Sequence, residues 1–455
     1  MIKNIFEHER YQLIMLLAIF GYVLFSIPFP QVSGFFRALF LIGSLPIFFY
    51  YRNKIFQEPM FIMLGLAIVA TIISWINSLS VIPQYAKDLP EIDRAARLFI
   101  FIPMAYWLRG KPKSIYLLFI LFAASFILGM SIKSDFIDSF MRGLNGDRVD
   151  FDIKNAQYTS MFGGIFSILS LFGFCFFYLN SKKYEFTKIR LITALVLALF
   201  AIFFITITVI SQSRMVFLGI LMIAVLFPFL HKIAYGHKGA IKLIISYVAT
   251  IVVISLVGYC LLPVILDRFN QSDTNTVQKL LNFDWHNIPM SNIGIRINSW
   301  IEASKWIADH PFIGVGERGP AAVIMLSQVF AERINEHYDI IVGLRHLHSF
   351  HMDALVTYGL FGFAILNGTY IVMLCSLVKL RNHIPHSEHW ILLALCIVVY
   401  WLTINGFESF NFRTYGVLTH NVFMAAFYTF AITHHLFPTH TDETNNENRG
   451  SCQQS

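Results

Sequence analysis

Long apolar segments follow one another along this chain, and they constrain its fold more than any motif does. A helix needs about 20 mostly apolar residues to cross a bilayer. Segments that approach this length are 12–29, 34–51, 60–82, 91–108, 114–132, 159–180, 191–211, 215–230, 243–266, 354–378, 390–406 and 417–436. Only 13% of the residues are charged, against roughly a quarter in soluble domains. We therefore predict an all-α, polytopic membrane protein with about twelve transmembrane helices.

Two of these segments need comment. The fourth, 91–108, is the weakest, because Arg94 and Arg97 lie at its start. The first, 12–29, follows a charged N-terminus as the apolar part of a signal peptide does. It is longer than a typical signal segment, and no small-x-small cleavage site follows it. We interpret it as a retained first helix.

The basic residues predict an orientation. The net charge is +7, and with the N-terminus in the cytoplasm every short inner link contains Lys or Arg. Short cytoplasmic loops are enriched in these residues, so orientation explains the charge better than nucleic-acid binding does. We predict a multi-pass protein surrounded by membrane lipids, with no nucleic-acid partner.

The spacing of the segments divides the chain. Residues 1–266 would contain transmembrane helices 1–9, 267–352 a large outer loop, 353–436 helices 10–12, and 437–455 a disordered cytoplasmic tail. The loop is too long for a mere connector. It contains one helical pattern from Ile293 to Asp309, with Ile297, Trp300, Ile301, Ser304 and Ile307 near one face. A second helix is predicted from Pro320 to about His337.

Two arginines outside the basic links are candidate anion-binding residues. Arg214 follows Ser211-Gln212-Ser213 in a tight turn between two apolar segments. A cation at that depth is costly unless it finds an anion or snorkels to the interface. Arg296 lies at the start of the first loop helix, and its planar fork suits phosphate oxygens. The alternatives are a snorkelling anchor for Arg214 and a solvated helix face for Arg296.

A histidine cluster, His346, His348 and His351, lies where the loop returns to the membrane. A neutral imidazole there can act as a general base near neutral pH. His348 and His351 share a helix face and can also ligate a metal, with Asp353 and Glu336 as the nearby carboxylates. The third interpretation is interfacial hydrogen bonding alone.

These residues resemble the O-antigen ligase family. His348-Ser349, nine residues, and then Gly359-Leu360-Phe361-Gly362 fit its H-[NSQ]-x9-G-x-x-G pattern. The Ser213-Arg214 turn is similar as well, as is the run Arg296…Trp300…Ala303…His310-Pro311…Gly314-Val315-Gly316. The three marks occur in the family's order over residues 211–362.

The resemblance implies a glycosyltransferase of GT-C-like architecture that needs neither metal nor cofactor. The donor would be a glycan on polyprenyl pyrophosphate, the acceptor the lipid A-core oligosaccharide, and the site would face the periplasm of a bacterial inner membrane. By the same resemblance, His348 would be the general base, and Arg214 and Arg296 would hold the pyrophosphate. Attack from the opposite face would invert the anomeric centre.

Further residues are candidates for substrate binding. Arg142, Arg148 and Lys154 lie in an outer segment and can attract phosphates. Arg345 is close to His348 in sequence. Glu408 lies at the outer end of the eleventh segment, where it is a candidate partner for His348 or an arginine.

Other functions remain open. An O-antigen polymerase or a protein O-oligosaccharyltransferase of the same superfamily would share these features, although Tyr358, rather than an acidic residue, precedes Gly359 and favours a ligase. A flippase for the lipid-linked glycan is a different class, and the nearly uncharged segment interiors disfavour it.

Overall fold

The computed structural model describes residues 8–179, 187–236, 274–333 and 338–436, and in these ranges all regular secondary structure is helical. Three short 3-10 turns cover Arg97–Phe99, Trp285–Asn287 and Phe410–Phe412. The α-helices are α1 (Glu9–Leu24), α2 (Pro30–Tyr50), α3 (Arg52–Ile55), α4 (Pro59–Val81), α5 (Ile92–Ala96), α6 (Phe101–Leu108), α7 (Pro112–Lys133), α8 (Phe136–Leu144), α9 (Ala156–Leu179), α10 (Thr187–Ile210), α11 (Arg214–Tyr235), α12 (Thr274–Leu281), α13 (Asn292–Asp309), α14 (Gly319–Met325), α15 (Gln328–Arg333), α16 (Tyr338–Gly343), α17 (Phe350–Lys379), α18 (Ser387–Asn405) and α19 (Thr414–Leu436).

The predicted all-α membrane architecture is confirmed. Within the described ranges, nine helices are long and apolar enough to cross a bilayer: α2, α4, α7, α9, α10, α11, α17, α18 and α19. The first predicted segment forms α1, which is shorter, with 16 residues. The ninth predicted segment, 243–266, and the tail, 437–455, lie outside the described residues.

The fourth predicted segment is not one continuous helix. It consists of α5, a 3-10 turn and α6, and polar side chains of α19 satisfy the backbone at this interruption. Asn421 accepts a hydrogen bond from the Phe101 N–H (2.7 Å) and donates to the Arg97 carbonyl (2.8 Å). His420 donates to the Leu98 carbonyl (2.9 Å). Unpaired backbone groups are costly where water is excluded, so these side chains stabilise the interruption.

Helix α19 occupies the centre of the bundle, and nearly all of its residues are buried. It packs against α6 and α17, while α17 also packs against α4 and α18 against α11. Helices α18 and α19 are therefore the most buried of the nine long apolar helices. Their connections carry most of the polar residues described below.

The outer loop only partly follows the prediction. Helix α13 is confirmed, but its buried face comprises Gly294, Ile295, Asn298, Ser299, Glu302 and Ala303. The predicted face through Ile297, Trp300, Ile301, Ser304 and Ile307 is half-buried or exposed. Small residues let the backbone approach closely, since a Cβ on Gly294 would stand 1.8 Å from the Pro289 carbonyl oxygen. The second predicted helix is divided into α14 and α15, and Phe330 of α15 is buried in one apolar cluster with Val323 and Ile324 of α14.

Candidate functional site

Polar residues from several connections meet at one end of the helix bundle, around the carboxylate of Glu408. This residue lies between α18 and α19 and is 4% exposed. Its Oε1 is 3.2 Å from His346 Nε2. Its Oε2 is 3.3 Å from His348 Nδ1 and 3.9 Å from Arg296 Nη2. Three candidates from the sequence, Arg296, His348 and Glu408, therefore lie together.

The backbone around His348 is fixed from both sides. Ser349 is the N-cap of α17, and its Oγ accepts a hydrogen bond from the Met352 N–H (3.3 Å). The carbonyl of Leu347 accepts a hydrogen bond from Trp300 Nε1 (2.7 Å). His348 itself has a φ of 52°, in the left-handed region that His tolerates better than most residues do. The His-Ser pair thus starts a helix and holds the imidazole against Glu408.

The guanidinium group of Arg296 approaches the same carboxylate, and that of Arg214 acts on Arg296 through its charge. Arg296 donates from Nη1 to the Phe407 carbonyl (2.8 Å) and has a side chain 22% exposed. Burial lowers the pKa of Arg296, the Glu408 charge opposes this shift, and the positive charge of Arg214 lowers the pKa further. Arg214, the first residue of α11, is therefore close enough for its charge to act on Arg296. Two neighbouring guanidinium groups favour an anion with more than one charge.

Gln157 belongs to the cluster, although the sequence did not point to it. With its amide oriented to match its neighbours, Gln157 donates to Glu408 Oε2 (2.7 Å) and accepts from Arg296 Nη2 (2.8 Å). The only sequence signal is a polar residue in the first turn of an apolar helix. Lys154, just before α9, has its Nζ 3.4 Å from the Tyr158 hydroxyl, and the charge of Glu408 acts on it.

The protonation states suit proton abstraction by His348. Burial lowers the pKa of His348, and the nearby charge of Arg296 acts in the same direction, while Glu408 opposes the shift. Burial alone would raise the pKa of Glu408, but hydrogen bonds from His346 and His348 outweigh it and hold that pKa well below its ordinary value. At neutral pH the site thus combines a neutral His348 with an ionised Glu408.

His346, His348 and Glu408 also form a possible metal site. Their ligand atoms lie within 4.8 Å of one another, and they are the one such group of His, Cys, Asp or Glu in the described ranges. However, Arg296 Nη2 lies 3.9 Å from Glu408 and Arg413 Nη2 lies 3.0 Å from His346 Nδ1. Fixed positive charges at these distances oppose a second cation. The positive charges around these three residues therefore favour a proton-accepting imidazole over a bound metal ion.

Two glycines of the family motifs, Gly314 and Gly359, allow the outer loop to pack closely against α17. The helix is interrupted at Gly359, which has φ 64° and ψ −169°, a region essentially restricted to glycine. A Cβ on Gly359 would lie 2.4 Å from the Phe312 carbonyl carbon, and one on Gly314 would lie 2.5 Å from the Gly359 nitrogen. Four backbone hydrogen bonds join the two segments: Val315 N–H to Val356, Gly316 N–H to Thr357, Leu360 N–H to Pro311 and Phe361 N–H to Phe312.

The remaining sequence candidates lie elsewhere or beside the cluster. Arg142, on α8, is exposed and pairs with Asp138, with 3.1 Å between Nε and Oδ2. Arg148 is exposed in the connection between α8 and α9. Arg345 lines a separate polar cavity together with His346. The substrate-binding roles of these arginines stay predictions.

Residues 199–366 match the family model described as O-antigen ligase. The match covers Arg214, Arg296 and the whole His348…Gly362 pattern, so the resemblance inferred from these motifs is confirmed over this part of the chain. Among curated proteins, none matches the chain. The match supports the activity of the O-antigen ligase and polymerase superfamily, which is transfer of a lipid-linked glycan in a membrane.

Proposed function

We propose that this protein is an O-antigen ligase of the bacterial inner membrane. It transfers a glycan from polyprenyl pyrophosphate to the lipid A-core oligosaccharide at a site facing the periplasm. The observation that carries the proposal is the cluster in which His348 and Arg296 share the Glu408 carboxylate, with Arg214 close enough for its charge to act on Arg296. The reaction needs a general base for the acceptor hydroxyl and cationic groups for the leaving pyrophosphate, and this cluster contains both.

The proposed reaction begins with proton removal from the acceptor. With Nδ1–H of His348 directed to Glu408, the Nε2 lone pair is left to take the proton of the acceptor hydroxyl. The hydroxyl oxygen attacks the anomeric carbon as the bond from that carbon to the pyrophosphate oxygen breaks. Attack from the face opposite the leaving group inverts the anomeric centre. The electron pair of the broken bond leaves on the pyrophosphate, and the proton stays on His348.

The charges of the cluster divide this work. Arg214 and Arg296 neutralise the charge that develops on the leaving pyrophosphate, which fixed cations do well in a site protected from water. Glu408 stabilises the imidazolium that forms on His348. The donor bond is already activated, so no nucleotide is required.

Reconstitution tests the function directly. Purified protein in proteoliposomes, given only the polyprenyl-linked glycan and lipid A-core, is expected to produce glycan-bearing lipopolysaccharide with the opposite anomeric configuration. A flippase would form no product, and retained configuration would contradict the inverting step. In a deletion strain, rough lipopolysaccharide with full-length polyprenyl-linked polymer is expected, whereas caps of a single repeat unit would indicate a polymerase.

A protein acceptor is the alternative that one contact favours. The Tyr358 hydroxyl donates to the Glu317 carboxylate, so an acidic group does stand beside the position before Gly359, although it comes from another segment. Tyr358 therefore distinguishes a ligase from a protein glycosyltransferase less sharply than its side chain alone indicates. Replacing lipid A-core by a Ser- and Thr-containing protein in the same assay separates the two acceptors.

Exchanging Glu408 for Gln is expected to move the acid limb of the pH–rate profile to lower pH. Glu408 raises the pKa of His348, so its removal lets that pKa fall further and His348 protonates only in more acidic solution. The plateau rate should fall about 10- to 100-fold, the order of a lost hydrogen bond to a charged group. Steady-state transfer over a pH series measures both. The control Glu302→Gln loses a carboxylate paired with Lys305, and its acid limb should lie at the wild-type pH. An acid limb that does not move in Glu408→Gln would contradict the pairing of Glu408 with the general base His348.

Chelation is expected to leave the transfer rate unchanged. If His348 acts as a base, EDTA treatment of the reconstituted protein has nothing to remove, and added Mg²⁺, Mn²⁺ or Zn²⁺ should not stimulate transfer. Loss of activity with EDTA, restored by one of these ions, would instead assign His346, His348 and Glu408 as metal ligands.

A further inference from the structure

A second polar cavity, of about 260 Å³, lies beside the proposed catalytic cluster. The two share His346, which lines the cavity and contacts Oε1 of Glu408. His348 and Arg296 approach the other carboxylate oxygen, Oε2. His346 thus joins the cavity to Glu408 through Oε1, whereas Arg296 contacts Oε2 and does not line the cavity.

The lining of this cavity carries an excess of positive charge. Three lining residues are acidic and six are permanently cationic, the latter being Lys87, Arg94, Arg97, Arg318, Arg345 and Arg413. All three carboxylates already accept bonds: Lys87 donates to Glu91, Arg94 to Glu317, and the Ser409 hydroxyl to Asp353. The Ser409 hydroxyl is uncharged, so the formal charge of Asp353 still offsets one cation, while Arg97 pairs with Asp93 outside the lining (3.7 Å). The lining itself keeps a formal net charge of +3.

Three arginines from separate segments account for the excess. Arg318 precedes α14, Arg345 lies in the connection before α17, and Arg413 precedes α19. Arg413 donates to Nδ1 of His346 (3.0 Å), which is an uncharged partner when Nε2–H of that ring faces Glu408. In the ranges that the structure describes, no carboxylate forms an ion pair with Arg318, Arg345 or Arg413. Guanidinium groups that converge on a concave surface favour phosphate or carboxylate oxygens.

We propose that this cavity binds an anionic group of the glycan acceptor, a phosphate or carboxylate carried by a sugar near the hydroxyl that reacts at His348. The inference rests on the proposed function. The shared His346 places the cavity next to the general base, whereas Arg214 and Arg296 do not line it. Its polar, charged lining suits a sugar unit with a charged substituent better than an apolar polyprenyl chain.

Acceptor kinetics test the proposal. The reconstituted protein is given lipid A-core acceptor, either untreated or with its phosphates removed enzymatically and its carboxylates reduced. Arg318→Gln and Arg345→Gln are expected to raise the KM for the charged acceptor about tenfold each, the order of one charge-assisted hydrogen bond. The KM for the donor and the rate with the uncharged acceptor should stay as in the wild type. Arg37→Gln, at an exposed arginine of α2, is the control of equal charge change.

The outcomes separate the possible sources of the anion. A rise in donor KM with unchanged acceptor KM would assign the cavity to the donor and overturn the proposal. Unchanged KM values for both substrates would also overturn it.

A binding measurement that needs no transfer distinguishes failure of the cavity from failure of the proposed function. Calorimetry in detergent is expected to detect glucose 6-phosphate but not glucose, with about tenfold weaker binding after Arg345→Gln. Arginine-dependent binding without any transfer to lipid A-core would preserve the anion site and refute the ligase. Absence of that dependence, with transfer intact, would refute the cavity alone.

Discussion

Replacing His348 with alanine is expected to reduce the rate of glycan transfer by about 10²- to 10⁴-fold, the usual contribution of a general base. The acceptor hydroxyl would then have to lose its proton to water, and Glu408 would have no imidazolium to stabilise. Binding of the donor should change little, because the proposed pyrophosphate contacts come from Arg214 and Arg296. Single-turnover transfer and donor affinity, measured on the same reconstituted preparation, separate the two effects.

The left-handed backbone at His348 calls for a second variant. Alanine adopts a φ of 52° less readily than histidine does. His348→Ala can therefore lose activity because the backbone before α17 changes conformation. Asparagine tolerates this region but is no base, and His348→Asn should therefore fold normally and still fail in transfer. His351→Gln is the matched control, since His351 bonds the Leu402 carbonyl (3.0 Å) instead of Glu408. Full activity in His348→Asn would remove His348 from the mechanism.

The pH dependence of the wild-type protein follows from the same residue. Because burial lowers the pKa of His348, the base stays neutral until the solution is more acidic than the ordinary histidine pKa of about 6.5. Transfer should thus be retained somewhat below that pH and be lost as His348 takes a proton.

Hydropathy predicted most of the long helices, because the bilayer fixes both their length and their composition. It failed at 91–108, where the helix is interrupted and the free backbone groups bond to Asn421 and His420. Those partners lie more than 300 residues further along the chain. A local pattern contains no information about such a partner. The rotated buried face of α13 has a similar cause, since close backbone approach at Gly294 decides which side is covered.

The residues of the site that belong to motifs were predictable from the sequence, whereas the contacts that the tertiary fold creates were not. Arg214, Arg296 and His348 carry the resemblance, and Glu408 was a candidate as an acid at a helix end. Nothing in the local sequence distinguishes His346, which contacts Glu408, from His351, which does not. The left-handed backbone of His348 lies between these two histidines, and such a conformation at a non-glycine residue leaves no clear sequence signal.

Substituting Gly359 with alanine is expected to destabilise the protein and abolish transfer together. The backbone at φ 64° and ψ −169° costs a non-glycine residue about 1–3 kcal/mol. The new Cβ would also meet the Phe312 carbonyl carbon at 2.4 Å, which is backbone and cannot rotate away. Relief requires the loop segment 311–316 to separate from α17. A lower apparent melting temperature in detergent, with little remaining transfer, is the expected result.

Gly343→Ala provides the control, because a Cβ there meets no atom within 4 Å among the described residues and Gly343 ends the short helix α16 without a positive φ. Its melting temperature and transfer rate should equal those of the wild type.

The first half of α17 links Gly359 to catalysis, because it runs from the Ser349 cap beside His348 to the interruption. If the loop is released there, the cap and the imidazole lose their fixed position relative to Glu408. Wild-type melting with normal transfer in Gly359→Ala would show that the backbone pairing of 311–316 with α17 is not what holds His348 in place.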